Sequence, residues 1–447
     1  MPQIPALKDN LVSVFIMLCA LTYAAFCLAL AKASNTYAAV TLPQFGCYLL
    51  AAHIIWGMVL YISRESNRLS TPLILLSAIV FRLCLLSGFP VLEDDIYRYL
   101  WDGYLVSQLG SAYGLPPATF FPGSELSPTM QAILGLVSYP DIATVYGPFS
   151  EFLFAAAYTI APGQIWPIKV IILCFDSTCL ILLARWLSPR KLLLISWCPL
   201  LLFQFALNAH IDIIAIALLM AGIHFTLRPS RWWLTPLCLA LAISVKLFAL
   251  LAAPFLLLKW RQVLVFIAVL ATLYVPVMLT GHSEFDGLSV ISQQWNFNSL
   301  FALIANLLLD SRLTQLLSLL LLGSGVIVIY YYYGRSAVIS RRLYGCFISY
   351  ILLLLLSPAL NPWYLAWLLL FAAFTDHIWP WIFAVVIWLS LLTGINLQKG
   401  TLGLYEMSSY TILLEFAIVA IVPIWAVSQK KLRGWRRAKC AETQFKP

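Results

Sequence analysis

Charge is what this sequence has least of. Of its 447 residues, 10% are Asp, Glu, Lys or Arg and 62% are apolar. A soluble globular chain is nearer a quarter charged and half apolar. With a mean hydropathy of +0.92, that scarcity excludes a water-soluble enzyme. A polar stretch large enough for a soluble domain is also lacking; the longest runs over about residues 89–142. The apolar runs do not alternate every second residue, which excludes an outer-membrane barrel. Glycine-rich phosphate loops, heptads, low-complexity segments and inverted transporter repeats are absent. No cysteine pair has zinc spacing. Nine of the ten cysteines lie in or beside apolar runs, and Cys440 alone sits in a polar tail. They read as small packing residues, not as a disulfide framework or metal cluster.

What is there is a succession of apolar runs close to the roughly 20 residues that cross a bilayer. They fall at about 11–31, 40–62, 70–88, 143–161, 167–187, 192–208, 211–227, 232–258, 262–280, 313–333, 343–358, 361–375, 378–394 and 408–427. The expected fold is all-α: a polytopic transmembrane helical bundle of about 13–15 segments, forming one integral membrane domain over 1–447. The first run is too long for a cleavable signal peptide and lacks a short basic leader and cleavage site.

The net charge of +9 encodes orientation, not nucleic-acid binding. Arg64 and Arg68, then Lys259 and Arg261, then Arg335, Arg341 and Arg342, and the basic tail 428–447 mark cytoplasmic ends. Residues 89–142 and a second loop, 281–298, then face the periplasm or exterior, and both termini face the cytoplasm. The first loop agrees: Glu93, Asp94, Asp95, Asp102, Glu125 and Asp141 stand against Arg98 alone. Arg185, Arg190, Lys191, Arg228 and Arg231 break the pattern. Either one segment in 143–187 does not cross fully, or 232–258 is a broken pair of short helices around Lys246.

The string Glu93-Asp94-Asp95-Ile96-Tyr97-Arg98-Tyr99-Leu100-Trp101-Asp102-Gly103 carries the most information. Three adjacent acids repel one another, so a neighbour, a cation or a raised pKa must relieve them. A capped interfacial helix with an aromatic belt is the structural alternative. Four further polar groups interrupt the apolar pattern: Tyr146-Gly147-Pro148; Asn208, His210 and Asp212; Gln293 to Asn298, with Trp295; and Ser357 to Tyr364, with Asn361 and Trp363. Four of these five sites can lie on one membrane face. Arg82 and Lys246 are cations inside apolar runs, where a charge ordinarily faces a cavity or a partner. Either could hold a lipid phosphate, or snorkel to the interface.

A helix leading outward, then a loop with an acidic pair and an aromatic four residues on, Asp95 to Tyr99, resembles the GT-C glycosyltransferases. The string Asp94 to Gly103 is most similar to bacterial polyprenol-phosphate-mannose-dependent α-mannosyltransferases. Tyr146-Gly147-Pro148, Lys246 with Pro254, Trp295 to Phe301, and Ser357 to Tyr364 follow in matching order, over about residues 70–375. Relatives often carry a His where Asn361 stands, and the acidic loop follows the third helix here, not the first.

The resemblance implies an inner-membrane enzyme with a large first catalytic loop bearing short interfacial helices. It would move a mannose-like hexose from a polyprenyl-phosphate sugar to a glycan, lipid or protein acceptor, its other contacts being membrane lipids. Such transfer needs one carboxylate to deprotonate the acceptor hydroxyl, and a single base implies inversion. Asp95 is the expected base, with Asp94 as the runner-up or as a residue orienting the acceptor. The leaving phosphate needs cations, not an acid. Substrate binding then falls to Arg98, Tyr99, Asp102, Tyr146, His210, Asp212, Lys246, Trp295, Asn298, Asn361, Trp363, Tyr364 and Arg82. No cofactor is required; a divalent cation on Glu93, Asp94 and Asp95, or an ion pair to Arg98, would serve the acids equally. The alternative function is a transporter or flippase for a lipid-linked or anionic substrate.

Overall fold

The computed structural model of the chain describes residues 3–36, 39–65, 69–123 and 125–422. Arg68 and the basic tail 428–447 lie outside the described residues. The described chain is helical throughout, its only β-type pairings being two isolated bridges.

Among the described residues, six helices are long and apolar enough to cross a membrane: Leu11–Ala33, Leu42–Ile62, Trp166–Leu183, Trp260–Met278, Ser311–Gly334 and Ile339–Leu356. A seventh forms if Pro189–Ser196 and Pro199–Leu207, bent by 50°, count as one span. The remaining apolar runs also form helices, but shorter ones, such as Asp212–Thr226 and Leu234–Val245. At 1.5 Å per residue, a helix of this size reaches only about 20 Å of a hydrocarbon core near 30 Å. A count of 13–15 apolar segments is therefore larger than the number of full-length spans.

The two kinds of helix divide the work. Long helices such as Trp260–Met278 and Ser311–Gly334 bury little of themselves, 11% and 17% of their most apolar windows. They present Leu264, Ile267, Leu319, Leu320 and Ile327 outward. An apolar exterior of that extent fits lipid, not water, and the protein is a multi-pass membrane protein. The short helices fill the centre; every residue of Leu365–Ala372 is buried.

Three local features shape what lies at the end of this bundle. Helix Asp95–Leu109 packs across helix Pro148–Ile160, so closely that a Cβ on Gly103 would stand 2.5 Å from the Phe154 carbonyl oxygen. It ends at Gly110 in a left-handed conformation, the usual helix C-terminal stop. The loop continues through a 3₁₀ turn, Pro117–Phe120, and a short helix, Pro128–Leu134, capped by Ser127. Between Leu234–Val245 and the 3₁₀ helix Leu247–Ala252 the chain breaks at Lys246, which is fully extended. Both ways to accommodate the stray basic loops are present: 232–258 is broken at Lys246, and within 143–187 helix Pro148–Ile160, at 13 residues, is too short to cross fully.

Candidate active site

The five polar groups converge on one cavity of about 930 Å³. Asp94, Tyr146, Asn208, Phe297, Asn361 and Tyr364 represent all five in its wall. Two joints bring them together. Gly147 approaches Ser244 so closely that a Cβ would lie 2.3 Å from the Ser244 carbonyl oxygen. The Phe149 N–H donates to Ser244 Oγ at 2.9 Å and Ser150 Oγ donates to the Val245 carbonyl at 3.4 Å. This is why a Tyr-Gly-Pro turn is needed opposite Lys246. The second joint is a parallel bridge between Phe297 and Ala359, with the Phe297 N–H on Pro358 and the Leu360 N–H on Phe297.

The repulsion among the acids is relieved by His210. Its Nε2 lies 3.5 Å from Glu93 and its Nδ1 3.5 Å from Asp95. At that separation both are charge contacts more than well-formed hydrogen bonds. The fully buried ring stacks on Trp363, centroids 3.7 Å apart and planes 16° apart. Burial alone would lower the His210 pKa, but the two carboxylates outweigh it and hold the pKa at about 9. The imidazole is therefore charged at neutral pH.

The adjacent aspartates differ. Burial pushes Asp95 up, yet His210 and Lys246 outweigh it, and the carboxyl lies below its usual range. The Tyr99 hydroxyl also faces it at 3.4 Å. Asp94 has no such cation. Burial and the charges of Glu93 and Asp95 raise its pKa to about 7, against hydrogen bonds donated by Tyr405 at 3.2 Å and Ser138 at 3.3 Å. Glu93, Asp94 and Asp95 offer oxygens within 4.8 Å of one another, a set that could also hold a cation.

Lys246 is the cation of the cavity wall, near enough to Asp95 to act on its charge. Its Nζ stands 3.8 Å from Asp212 and 5.3 Å from the Tyr364 ring centroid. The sequence left open whether Lys246 faces a cavity or a partner; it lines the cavity and has Asp212 as its partner. Asp212 is buried and accepts a hydrogen bond from the Trp367 indole at 2.8 Å.

The other expected residues split. Arg98 reaches the cavity wall but is engaged by Asp102, at 2.9 and 3.0 Å, and by the Ile142 carbonyl. Asp102 is wholly buried behind it. Tyr99 packs beneath the wall against Tyr146 and Phe154. Asn298 turns away to Glu415, at 2.9 Å. Arg82 does not line the cavity. It is 1% exposed, paired with Asp176 and donating to the Ala78 and Ser196 carbonyls, so the side chain is held inside the bundle and away from the cavity wall.

Sequence reasoning missed Ser138, Tyr139, Trp367 and Tyr405. None carries a local signal: Tyr405 lies in a short polar stretch between the last two apolar runs. One further property marks the cavity. The five non-glycine residues with positive φ among the described residues are Leu92, Tyr139, Ala209, Asn298 and Gln398. Leu92, Tyr139 and Gln398 line the cavity, while Ala209 and Asn298 adjoin lining residues. Such conformations cost about 1–3 kcal/mol each and cluster at functional sites.

No curated protein matches the chain. The family described as alpha-(1->6)-mannopyranosyltransferase, N-terminal domain, matches residues 19–262. That stretch contains the three acids, Tyr146, His210, Asp212 and Lys246, in agreement with the resemblance to GT-C mannosyltransferases. By this match over more than half its length, the chain belongs to the alpha-(1->6)-mannopyranosyltransferase family.

Proposed function

We propose that the protein transfers a mannosyl group from a polyprenyl-phosphate sugar to a hydroxyl of a glycan acceptor. The reaction takes place at the outer face of the cytoplasmic membrane and inverts the anomeric carbon. The observation that carries this reading is that one cavity holds both parts the transfer needs: a buried carboxylate, Asp94, accepting from Tyr405 and Ser138, and a lysine, Lys246.

Asp94 is the better base of the pair. General-base catalysis is most effective when the pKa lies near the working pH. Asp94 meets that condition, whereas Asp95 is held ionised and weakly basic by His210 and Lys246. On this reading the base is Asp94, the runner-up of the sequence reading, with Asp95 beside it in a supporting role. As the acceptor oxygen attacks the anomeric carbon, its proton passes to an Asp94 oxygen. The bond from that carbon to the phosphate oxygen breaks, and polyprenyl phosphate leaves with the electron pair. Lys246 stabilises the charge gained by the leaving phosphate. Asp95 orients Lys246 and His210, and Asp212 holds the lysine between turnovers.

The test is incubation of detergent-purified protein with a polyprenyl-phosphate mannose and a mannan acceptor, scoring released polyprenyl phosphate and extended glycan. Transfer without a second compartment is the expected result, and it separates this reading from transport. No release with any polyprenyl-phosphate sugar, from protein that is monodisperse and folded, overturns it.

A further inference from the structure

The wall of the cavity beyond Asp94 is aromatic, and its rings come from three separate parts of the chain. Tyr139 belongs to the loop 89–142, Trp295 follows helix Glu284–Gln294, and Tyr405 sits in the turn between Thr393 and Met407. Tyr139 is the middle member. Its ring centroid lies 5.3 Å from that of Trp295 and 5.7 Å from that of Tyr405, with planes inclined by 34° and 33°. All three line the cavity. Tyr139 remains 37% exposed, so the middle ring of the row is open, while Trp295 also rests against the core.

We infer that Trp295, Tyr139 and Tyr405 form the platform that receives the acceptor glycan and sets its hydroxyl against Asp94. The inference rests on the transferase reading above and deepens it by assigning the acceptor side of the site. Three observations support it. A pyranose presents a face of C–H bonds that stacks on aromatic rings and an edge of hydroxyls that hydrogen-bonds to polar groups. Here the rings form one row, and its Tyr405 end donates directly to Asp94 at 3.2 Å. Ser138, the residue before Tyr139, donates to the other Asp94 oxygen. The row is thus tied at two points to the carboxylate that must meet the acceptor. The cation that suits a phosphate, Lys246, stands instead beside Asp212 and the Tyr364 ring. Finally, Tyr139 is held at a φ of 51°, a left-handed conformation. A bulky residue is rarely kept there without a reason for its ring direction.

The ring row and the hydroxyl are separable. Trp295→Leu removes one ring while keeping apolar volume, and Trp295→Phe restores a ring. Tyr405→Phe keeps its ring and deletes the bond to Asp94. The probe is α-(1→6)-mannotriose, titrated calorimetrically against the detergent-purified full chain without donor. Trp295→Leu is expected to weaken binding roughly tenfold, the size of one lost aromatic contact with its burial, and Trp295→Phe to recover most of it. In turnover, Trp295→Leu raises the KM for the trisaccharide and leaves the donor KM unchanged. Tyr405→Phe keeps trisaccharide affinity and instead moves the acid limb of the pH profile. Equal trisaccharide affinity in wild type and Trp295→Leu, or no binding to wild type at any concentration tried, overturns the assignment. Binding that depends on Trp295 in a protein inactive with every polyprenyl-phosphate donor would leave the platform standing and sink the donor reading. Transfer by wild type, with acceptor KM unaffected by Trp295→Leu, would do the reverse.

Discussion

Asp94 and Asp95 share a peptide bond, yet one side chain meets hydroxyls and the other meets cations, and that contrast predicts separable mutants. Asp94→Asn keeps the size and accepts from one of the two hydroxyls, Tyr405 or Ser138, its amide NH2 facing the other, but cannot take a proton; kcat should fall by about 10²–10⁴. Asp95→Asn should cost less in kcat and more in donor KM, because its partners are Lys246 and His210. The base must be ionised to act. With its pKa at about 7, wild-type kcat/KM should fall tenfold per unit of pH below that value, and a profile flat from pH 5 to 8 would remove Asp94 from the role. His210 gives a prediction of opposite sense. Its pKa in the folded protein, about 9, is raised above the unfolded value of about 6.5. The stabilisation it provides is then complete below pH 6.5 and is lost as pH rises through 9. The melting temperature of the purified protein should decline across that window. In His210→Phe, which keeps a ring against Trp363, the decline should be absent.

At the scale of elements, the break at Lys246 matters more than any full-length span. A continuous helix there would carry the lysine out of the cavity. The break is stabilised by the turn at Gly147, which admits the Ser244 carbonyl where a Cβ would be 2.3 Å away. Gly147→Ala must push the two apart. Overpacking of this kind costs about 1–3 kcal/mol, and donor KM should rise in step with that of Lys246→Met, while helix content by circular dichroism stays unchanged. If Gly147→Ala matches wild type in donor KM, the joint does not position the lysine. The elements also show what sequence could reveal. The helices outside 89–142 were legible because a long apolar run is a local signal, and the short ones inside that loop followed from the resemblance. The acidic string and the four polar interruptions were legible because polar residues in apolar runs stand out. The pairing of Lys246 with Asp212, and of Arg82 with Asp176, was not. Those partners are 34 and 94 positions away, and nothing local specifies which distant acid a buried cation meets.

At the scale of the whole molecule, the acidic loop and the cavity share one end of the bundle, so a single topology experiment tests both. Glu125 is exposed in the loop 89–142. In a cysteine-free background, Glu125→Cys should react with an impermeant thiol reagent in intact cells; reaction only after permeabilisation would put the cavity on the cytoplasmic side. Tyr405 escaped notice for a reason that belongs to this scale. Its hydroxyl meets Asp94 across 311 positions of sequence, from a segment well beyond the stretch 19–262 that identifies the family. Synthesis proceeds from the N-terminus, so the ribosome has delivered the acids, the histidine and the lysine long before the residue that bonds to Asp94. A nascent chain therefore holds most of its reactive groups in the bilayer while the centre is still open on one side. A chain stalled before Tyr405 lacks that wall of the cavity and should be inert towards lipid-linked sugar.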